Sequence, residues 1–363
     1  MKILILTGKF GLGHWSASLS LRQQLLQCFP RAQVEVEDLI AYALPETSDL
    51  VYKGFHWLVT RGSGLFNLYY KLTQDVRIEL RPACEGLLLS RLNRLLEERC
   101  PDAVIATHPA CAQLISRYKR LHRSALPLVT CVTDLTAHAE WINYGTDCYL
   151  VGTEDIRDQL RVKGVPGARI LVTGIPVKEE FKHIRRRPAD RERRLLIMGG
   201  GLGLMPRTDR FYEALNSLPG VRVTLITGRN QKLYDRLAGR YDNIEVVGFT
   251  DRVYDYMAQS DLLLSKPGGI TLFESIFAEL PMLAWEPFLE QEKKNARALE
   301  ERGLGRVAAK EPEACLSAIR ALIYDDDALE CMASRMRALK SQLEEEDLVR
   351  RLSQLVGAKE ACA

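Results

Sequence analysis

No run of apolar residues in this 363-residue chain approaches the ~20 needed to cross a bilayer. The N-terminal Ile3-Leu4-Ile5-Leu6 run is too short for a signal peptide and leads straight into a glycine loop. None of the nine cysteines forms a CxxC pair. That argues against a zinc ribbon, and the odd count argues against a disulfide framework; reduced thiols in the cytosol fit better. Excess charge is also lacking. Fifty Lys and Arg stand against 47 Asp and Glu, a net charge of +3, so there is no signature of a nucleic-acid-binding protein. The first glycine loop, Gly8-Lys9-Phe10-Gly11-Leu12-Gly13, is not a GxGxxG match and lacks a Walker lysine, which disfavours a dinucleotide site or a P-loop. No Asp-x-Asp stands at a strand end, since Asp325-Asp326-Asp327 falls in a late helical region. No metal and no cofactor is therefore expected. Together these absences predict a cytoplasmic protein that at most sits on a membrane surface.

What the chain does have is apolar residues, 47% of the total, without low-complexity segments. Its length suits two domains, each with its own core. Short runs, most of them apolar, read as strands at 2–7, 33–38, 103–107, 128–133 and 148–152, then at 195–198, 222–227, 244–247, 261–265 and 282–285. Helical stretches separate most of them. Alternating βα units imply parallel sheets covered on both faces, and two successive sets imply two doubly wound, Rossmann-like α/β domains facing a central cleft. The expected division is residues 1–175 for the first domain and 195–340 for the second. Residues 176–194 form a basic hinge, and 341–363 a helix able to pack back on the first domain. The hinge carries Arg185, Arg186, Arg187, Arg191, Arg193 and Arg194 around Pro188. It reads as a solvated linker, or more sharply as a contact for anionic lipid headgroups.

The most informative stretch is Lys266-Pro267-Gly268-Gly269 with Glu274. It sits between a buried strand and a helix. Glycines there let backbone N–H groups approach an anion, and the helix N-terminus adds partial positive charge. Glu274, about a turn into the helix, can accept hydrogen bonds from a ribose diol, with Thr271 alongside. A tight turn without ligand is the bland alternative. Gly199-Gly200-Gly201 follows the first strand of the second domain and can cradle a diphosphate. Gln291, Glu292 and Asn295 leave the same edge and suit sugar hydroxyls.

In the first domain, His14 follows the first glycine loop at the start of a helix. Helix N-termini disfavour the imidazolium, so His14 can act as a base; a simple cap is the alternative. Asp134 and His138, in Thr133-Asp134-Leu135-Thr136-Ala137-His138, leave the C-terminal end of another strand, and either is an alternative base or helper. Asp134 also suits a helix cap. Segment 51–72 interleaves Phe55, Trp57, Phe66 and Tyr69 with Lys53, Arg61 and Lys71, around Gly62 and Gly64. It reads either as a face for an anionic membrane surface or as a half-buried helical hairpin. Trp141 joins the acceptor side.

These residues resemble the GT-B glycosyltransferases of family 28, which include monogalactosyldiacylglycerol synthases, processive diacylglycerol glucosyltransferases and the lipid-linked peptidoglycan N-acetylglucosaminyltransferase. The resemblance covers nearly the whole chain. It rests on Gly11-Leu12-Gly13-His14, Thr107-His108-Pro109, Thr133-Asp134 with His138 and Trp141, Thr173-Gly174-Ile175-Pro176-Val177, Ser265 to Glu274, and Gln291-Glu292 with Asn295-Ala296. The diacylglycerol-using members resemble it most. One departure is Glu290, where the family often has the glycine of Pro-Gly-Gln-Glu. The resemblance implies an inverting transfer of a hexose from a UDP-sugar, UDP-glucose or UDP-galactose, to a membrane lipid such as diacylglycerol. It also implies a peripheral protein on the inner face of the cell membrane, working without a metal. The rivals are a UDP-GlcNAc transferase to another lipid-linked acceptor, a UDP-sugar 2-epimerase, and a non-catalytic nucleotide-sugar-binding subunit. Donor sugar, acceptor lipid and oligomeric state stay open.

Overall fold

Strands buried on both faces of a parallel sheet read as short apolar runs, and that pattern dominates the computed structural model. It describes residues 1–76, 79–82, 84–186, 192–200, 205–206, 208–287 and 289–362. Two compact units emerge. One comprises Met1–Glu179, Leu289–Gln291 and Gln342–Ala363; the other comprises Glu180–Phe288 and Glu292–Ser341.

The first unit holds a six-stranded, all-parallel sheet of β1 (Lys2–Thr7), β2 (Gln33–Asp38), β3 (Ala103–Ala106), β4 (Leu128–Cys131), β5 (Cys148–Val151) and β6 (Ile170–Val172). Their spatial order is β2-β1-β3-β4-β5-β6. Alternate residues of each strand feed opposite faces. Leu4, Leu6, Val104, Ala106 and Leu128 pack with Leu39, Leu92 and Ile115 on one side. Ile3, Ile5, Ala103, Ile105 and Val129 pack with Leu21, Leu25, Leu348 and Leu352 on the other. Leu348 and Leu352 belong to the last helix, Glu345–Cys362, so the C-terminal segment completes this core. The edge strand β6 was not evident in sequence. It is three residues long, and its free side is covered: Val172 N–H donates to Glu344 Oε2 at 2.9 Å, and Glu344 N–H donates to the Val172 carbonyl at 2.8 Å.

The helices that matter here are α1 (Leu12–Cys28), α2 (Leu39–Ala43), α3 (Ser48–Arg61), α4 (Ser63–Thr73), α5 (Glu85–Arg99) and α6 (Pro109–His122). Gly11 caps α1 with φ 154° and ψ 169°, a conformation essentially confined to glycine. Helix α1 starts at Leu12, so His14 lies in its first turn. Segment 51–72 is a pair of helices, α3 and α4, joined at Gly62.

The second unit repeats the architecture with β7 (Arg193–Met198), β8 (Val221–Ile226), β9 (Ile244–Val247), β10 (Leu262–Ser265), β11 (Met282–Trp285) and β12 (Gly305–Ala308). All its strand pairs are parallel, in the order β12-β11-β10-β7-β8-β9. Strand β12 escaped the sequence reading because Gly305-Arg306 breaks the apolar run and the strand lies at an edge. Leu195, Ile197, Val223, Leu225, Leu262 and Leu264 form the centre of this core.

Both sheets reverse strand order beside their first strand, between β1 and β3 in one and between β7 and β10 in the other. In open α/β sheets, ligands bind at the carboxyl ends of the strands at such a switch point. Of the sequence-predicted residues, His14 follows β1, Gly200 follows β7 and residues 266–274 follow β10, while Asp134 and His138 follow β4 and Gln291, Glu292 and Asn295 follow β11.

Candidate active site

In the first unit, His14 occupies the first turn of α1, directly after the loop that leaves β1. Its Nδ1 lies 2.9 Å from the Thr107 carbonyl, at the end of β3. It also lies 2.9 Å from Thr133 Oγ1, just past β4. A carbonyl only accepts, so Nδ1 carries the proton and Nε2 keeps its lone pair. Burial pushes the His14 pKa below its ordinary 6.5; the Asp134 carboxylate and the Thr107 carbonyl partly oppose this. The ring is therefore neutral near pH 7. The sequence attributed neutrality to the helix N-terminus; burial is the larger cause. His108 stands beside it, ring centroids 4.8 Å apart, and its Nδ1 accepts the Ala110 N–H as the cap of α6. Burial, then the neighbouring His14, holds His108 well below 6.5.

The loop before His14 is clamped from α3. Tyr52 accepts the Lys9 N–H at 3.1 Å and donates to Asp38, the residue capping α2. Phe10 packs edge-on against Tyr52 and Phe55, each at 5.0 Å, and lies 5.0 Å from His108.

Asp134 is half-buried, and its Oδ2 accepts the Trp141 indole N–H at 3.2 Å. Two of the sequence assignments need correction here. His138 is fully buried, and both ring nitrogens are committed. Its Nδ1 accepts the Glu140 N–H at 3.2 Å, and Nε2 donates to the Tyr70 carbonyl at 2.9 Å. Its ring stacks on Tyr70 at 4.0 Å. His138 therefore fastens α4 to the loop after β4, and no ring nitrogen is left to serve as a base. Trp141 is 1% exposed and belongs to the core with Val132 and Tyr149, not to a membrane-facing surface.

Helices α3 and α4 expose Leu50, Trp57, Leu65, Leu68, Tyr69 and Leu72, with Lys53 and Arg61 exposed among them. Phe55 and Phe66 are half-buried and packed on each other at 6.0 Å, so the aromatic segment divides into an outward set and an inward set. Among the described residues no helix is long and apolar enough to cross a membrane. Glu140 was not anticipated. It accepts from Tyr69 OH at 2.9 Å, and burial raises its carboxyl pKa against the effect of that bond. Thr107 and Thr133 fell within the recognised motifs, but sequence does not reveal which ring nitrogen a threonine faces. Their place at adjacent strand ends was the available signal.

In the second unit, the turn after β10 behaves as its composition requires. Gly268 caps helix Gly269–Phe277 without a side-chain cap bond, and a Cβ built on it would meet nothing within 4 Å. Open N–H groups at a helix start are an anion site in waiting. Thr271 and Glu274 are half-buried on that helix. Asn295 is buried, and its amide donates to the Pro267 carbonyl at 3.0 Å, so it braces the turn. Lys266 Nζ lies 3.7 Å from Glu292 Oε1. Glu292, and Gln291 of the first unit, fall in the first turn of helix Glu290–Glu301, both half-buried. After β7, paired in register with β10, Gly200 has φ +67°. Gly201 lies outside the described residues, as do Arg187, Pro188 and Arg191 of the basic run. Among the described residues, no three His, Cys, Asp or Glu side chains gather as metal ligands would.

Comparison with known proteins assigns both halves. Residues 14–177 match the monogalactosyldiacylglycerol (MGDG) synthase family, and residues 195–352 match the glycosyltransferase family 28 C-terminal domain. A processive diacylglycerol beta-glucosyltransferase of Staphylococcus carnosus is 30% identical over 354 residues, covering 93% of this chain and 89% of its own. Among solved structures, Acinetobacter baumannii MurG matches with a TM-score of 0.64 at 16% identity, over 97% of this chain and 99% of its own. A UDP-GlcNAc 2-epimerase of Neisseria meningitidis matches at 0.58, also with 16% identity, over 98% and 100%. At those identities the two structures speak for the shared GT-B fold alone. The sequence relative and the two family matches carry the assignment: the chain belongs to the family 28 glycosyltransferases, in the group of the MGDG synthases and processive diacylglycerol glucosyltransferases, and is a lipid glycosyltransferase.

Proposed function

We propose that this enzyme transfers a hexose, from UDP-glucose or UDP-galactose, to the hydroxyl of diacylglycerol or a similar membrane lipid, with inversion at the anomeric carbon. The observation that carries the mechanism is His14: a neutral imidazole with Nδ1–H anchored and Nε2 able to accept a proton. In a single displacement the acceptor oxygen attacks the anomeric carbon. Its proton passes to His14 Nε2, and the bond from that carbon to the UDP oxygen breaks. Asp134 stabilises the imidazolium that forms. Charge developing on the leaving diphosphate is met by N–H groups at the Gly268 turn and the glycines after β7, with the helix start contributing partial positive charge. No metal is required in this reading, and Glu274 takes the donor ribose.

The exposed apolar face of α3 and α4, with Lys53 and Arg61, supports docking on an anionic membrane surface, and the inner face of the cell membrane is the location proposed for it. Incubation with UDP-glucose, UDP-galactose or UDP-GlcNAc and diacylglycerol-containing vesicles, read by lipid chromatography, tests the proposal. A glycosyl-diacylglycerol formed from one of the first two is the expected product. Exclusive use of UDP-GlcNAc on another lipid would replace it.

A further inference from the structure

We infer that Thr133 is a positioning residue that holds His14 in its reactive tautomer; this rests on His14 being the base. Two neutral oxygens meet the same ring nitrogen at 2.9 Å, the Thr107 carbonyl and the Thr133 hydroxyl. They come from the ends of neighbouring parallel strands, β3 and β4. The first is rigidly set: Thr107 N–H donates to the Leu6 carbonyl at 3.0 Å, and its hydroxyl lies 2.8 Å from Ser18 Oγ. One acceptor favours the proton on Nδ1, a preference the second reinforces, but alone it leaves the ring free to pivot about that bond. A second acceptor from another strand fixes the ring plane as well. Thr133 is 5% exposed, so no solvent replaces its hydroxyl when it is removed.

A carboxylate does this work in the Ser-His-Asp arrangement. Here the neighbouring carboxylate, Asp134, accepts the Trp141 indole N–H and acts on the ring through its charge. The titratable groups around the ring are Asp134 and His108. Hydrogen bonds to Nδ1–H strengthen when the ring becomes charged. Thr133 therefore favours the imidazolium over the neutral ring, and its loss lowers the ring's pKa.

The test compares Thr133→Val, Thr133→Ser and the wild type, using nitrogen NMR of 15N-histidine-labelled enzyme, with the His14 signals assigned by their loss in His14→Gln. Thr133→Val is expected to lower the Nδ1–H population and to cut kcat about 3- to 10-fold, the yield of one buried hydrogen bond. The acid limb of kcat/KM should move to lower pH, and the KM for the UDP-sugar should hold. Thr133→Ser should restore all three. If valine prevents folding, Thr133→Ala serves in its place. An unchanged tautomer and an unmoved acid limb overturn the role of Thr133. A shifted tautomer with unchanged turnover upholds its grip on the ring and overturns His14 as the base.

Discussion

Removing Leu65 and Leu72 from the outward face of α4 should release the enzyme from membranes without unfolding it. Both are substituted to serine. They are 71% and 70% exposed, so neither contributes much to the core, and surface changes of this kind usually stay within about ±0.5 kcal/mol. Full burial of a leucine side chain is worth about 1.5–3 kcal/mol, so the exposed seven-tenths of each offers a bilayer interface about 1–2 kcal/mol. For the pair this is about 2–4 kcal/mol, or about a 30- to 800-fold loss in partition at full insertion. A half-inserted face would lose about 5- to 30-fold. The assay is sedimentation with vesicles containing phosphatidylglycerol, alongside UDP calorimetry and thermal melting. Vesicle binding should fall while UDP affinity and Tm hold. Wild-type protein that ignores vesicles, or a double variant that binds them equally well, would refute the reasoning. Phe55 and Phe66 are poor probes, since their half-buried rings pack on Phe10 and each other; serine there should lower Tm.

Further outcomes follow from the two sites. His14→Ala should reduce kcat by about 10²–10⁴-fold with donor affinity nearly intact, the usual contribution of a positioned base. The His14 pKa is lowered and the neutral ring is the active form. Activity should therefore be full at pH 7 and fall only as pH drops through a midpoint below 6.5. Because Asp134 raises that pKa, Asp134→Asn should move the midpoint lower still in a kcat/KM profile. Glu274→Ala should weaken UDP binding by about 1.5–3 kcal/mol in calorimetry, the worth of a hydrogen bond to a charged group. Gly268→Ala has φ −71° and open space for its methyl, so Tm should hold while the KM for the UDP-sugar rises. Activity in EDTA should equal that with added Mg²⁺ or Mn²⁺, measured by product formation.

Ten of the twelve strands are visible in sequence: a doubly covered parallel strand has no polar face to interrupt its apolar run, and the edge strand β2 shows instead by Val34 and Val36 alternating with polar residues. The two that escape, β6 and β12, lie at sheet edges, where three or four residues suffice and Arg306 reaches solvent. The turn after β10 was equally legible, since Pro267-Gly268-Gly269 marks the passage from strand to helix. Side-chain direction was not. His138 and Trp141 sit at the spacing expected of site residues, yet one is sealed beneath Tyr70 and the other is core. His138 depends on Tyr70 of α4, 68 residues upstream, and Trp141 packs with Tyr149 of β5, and no local pattern encodes either encounter. The hairpin α3–α4 shows the same limit. Its aromatics were evident, but only packing against Phe10 separates the inward Phe55 from the outward Trp57.

The central claim is tested most directly by the anomeric configuration of the product. Purified enzyme is incubated with UDP-glucose or UDP-galactose and diacylglycerol vesicles, and the glycolipid is examined by proton NMR. A glycosyl-diacylglycerol whose sugar is β-linked, from an α-linked donor, is the predicted result. An α-linked product would contradict the single displacement from His14. Epimerised UDP-sugar with no glycolipid would contradict the transfer itself.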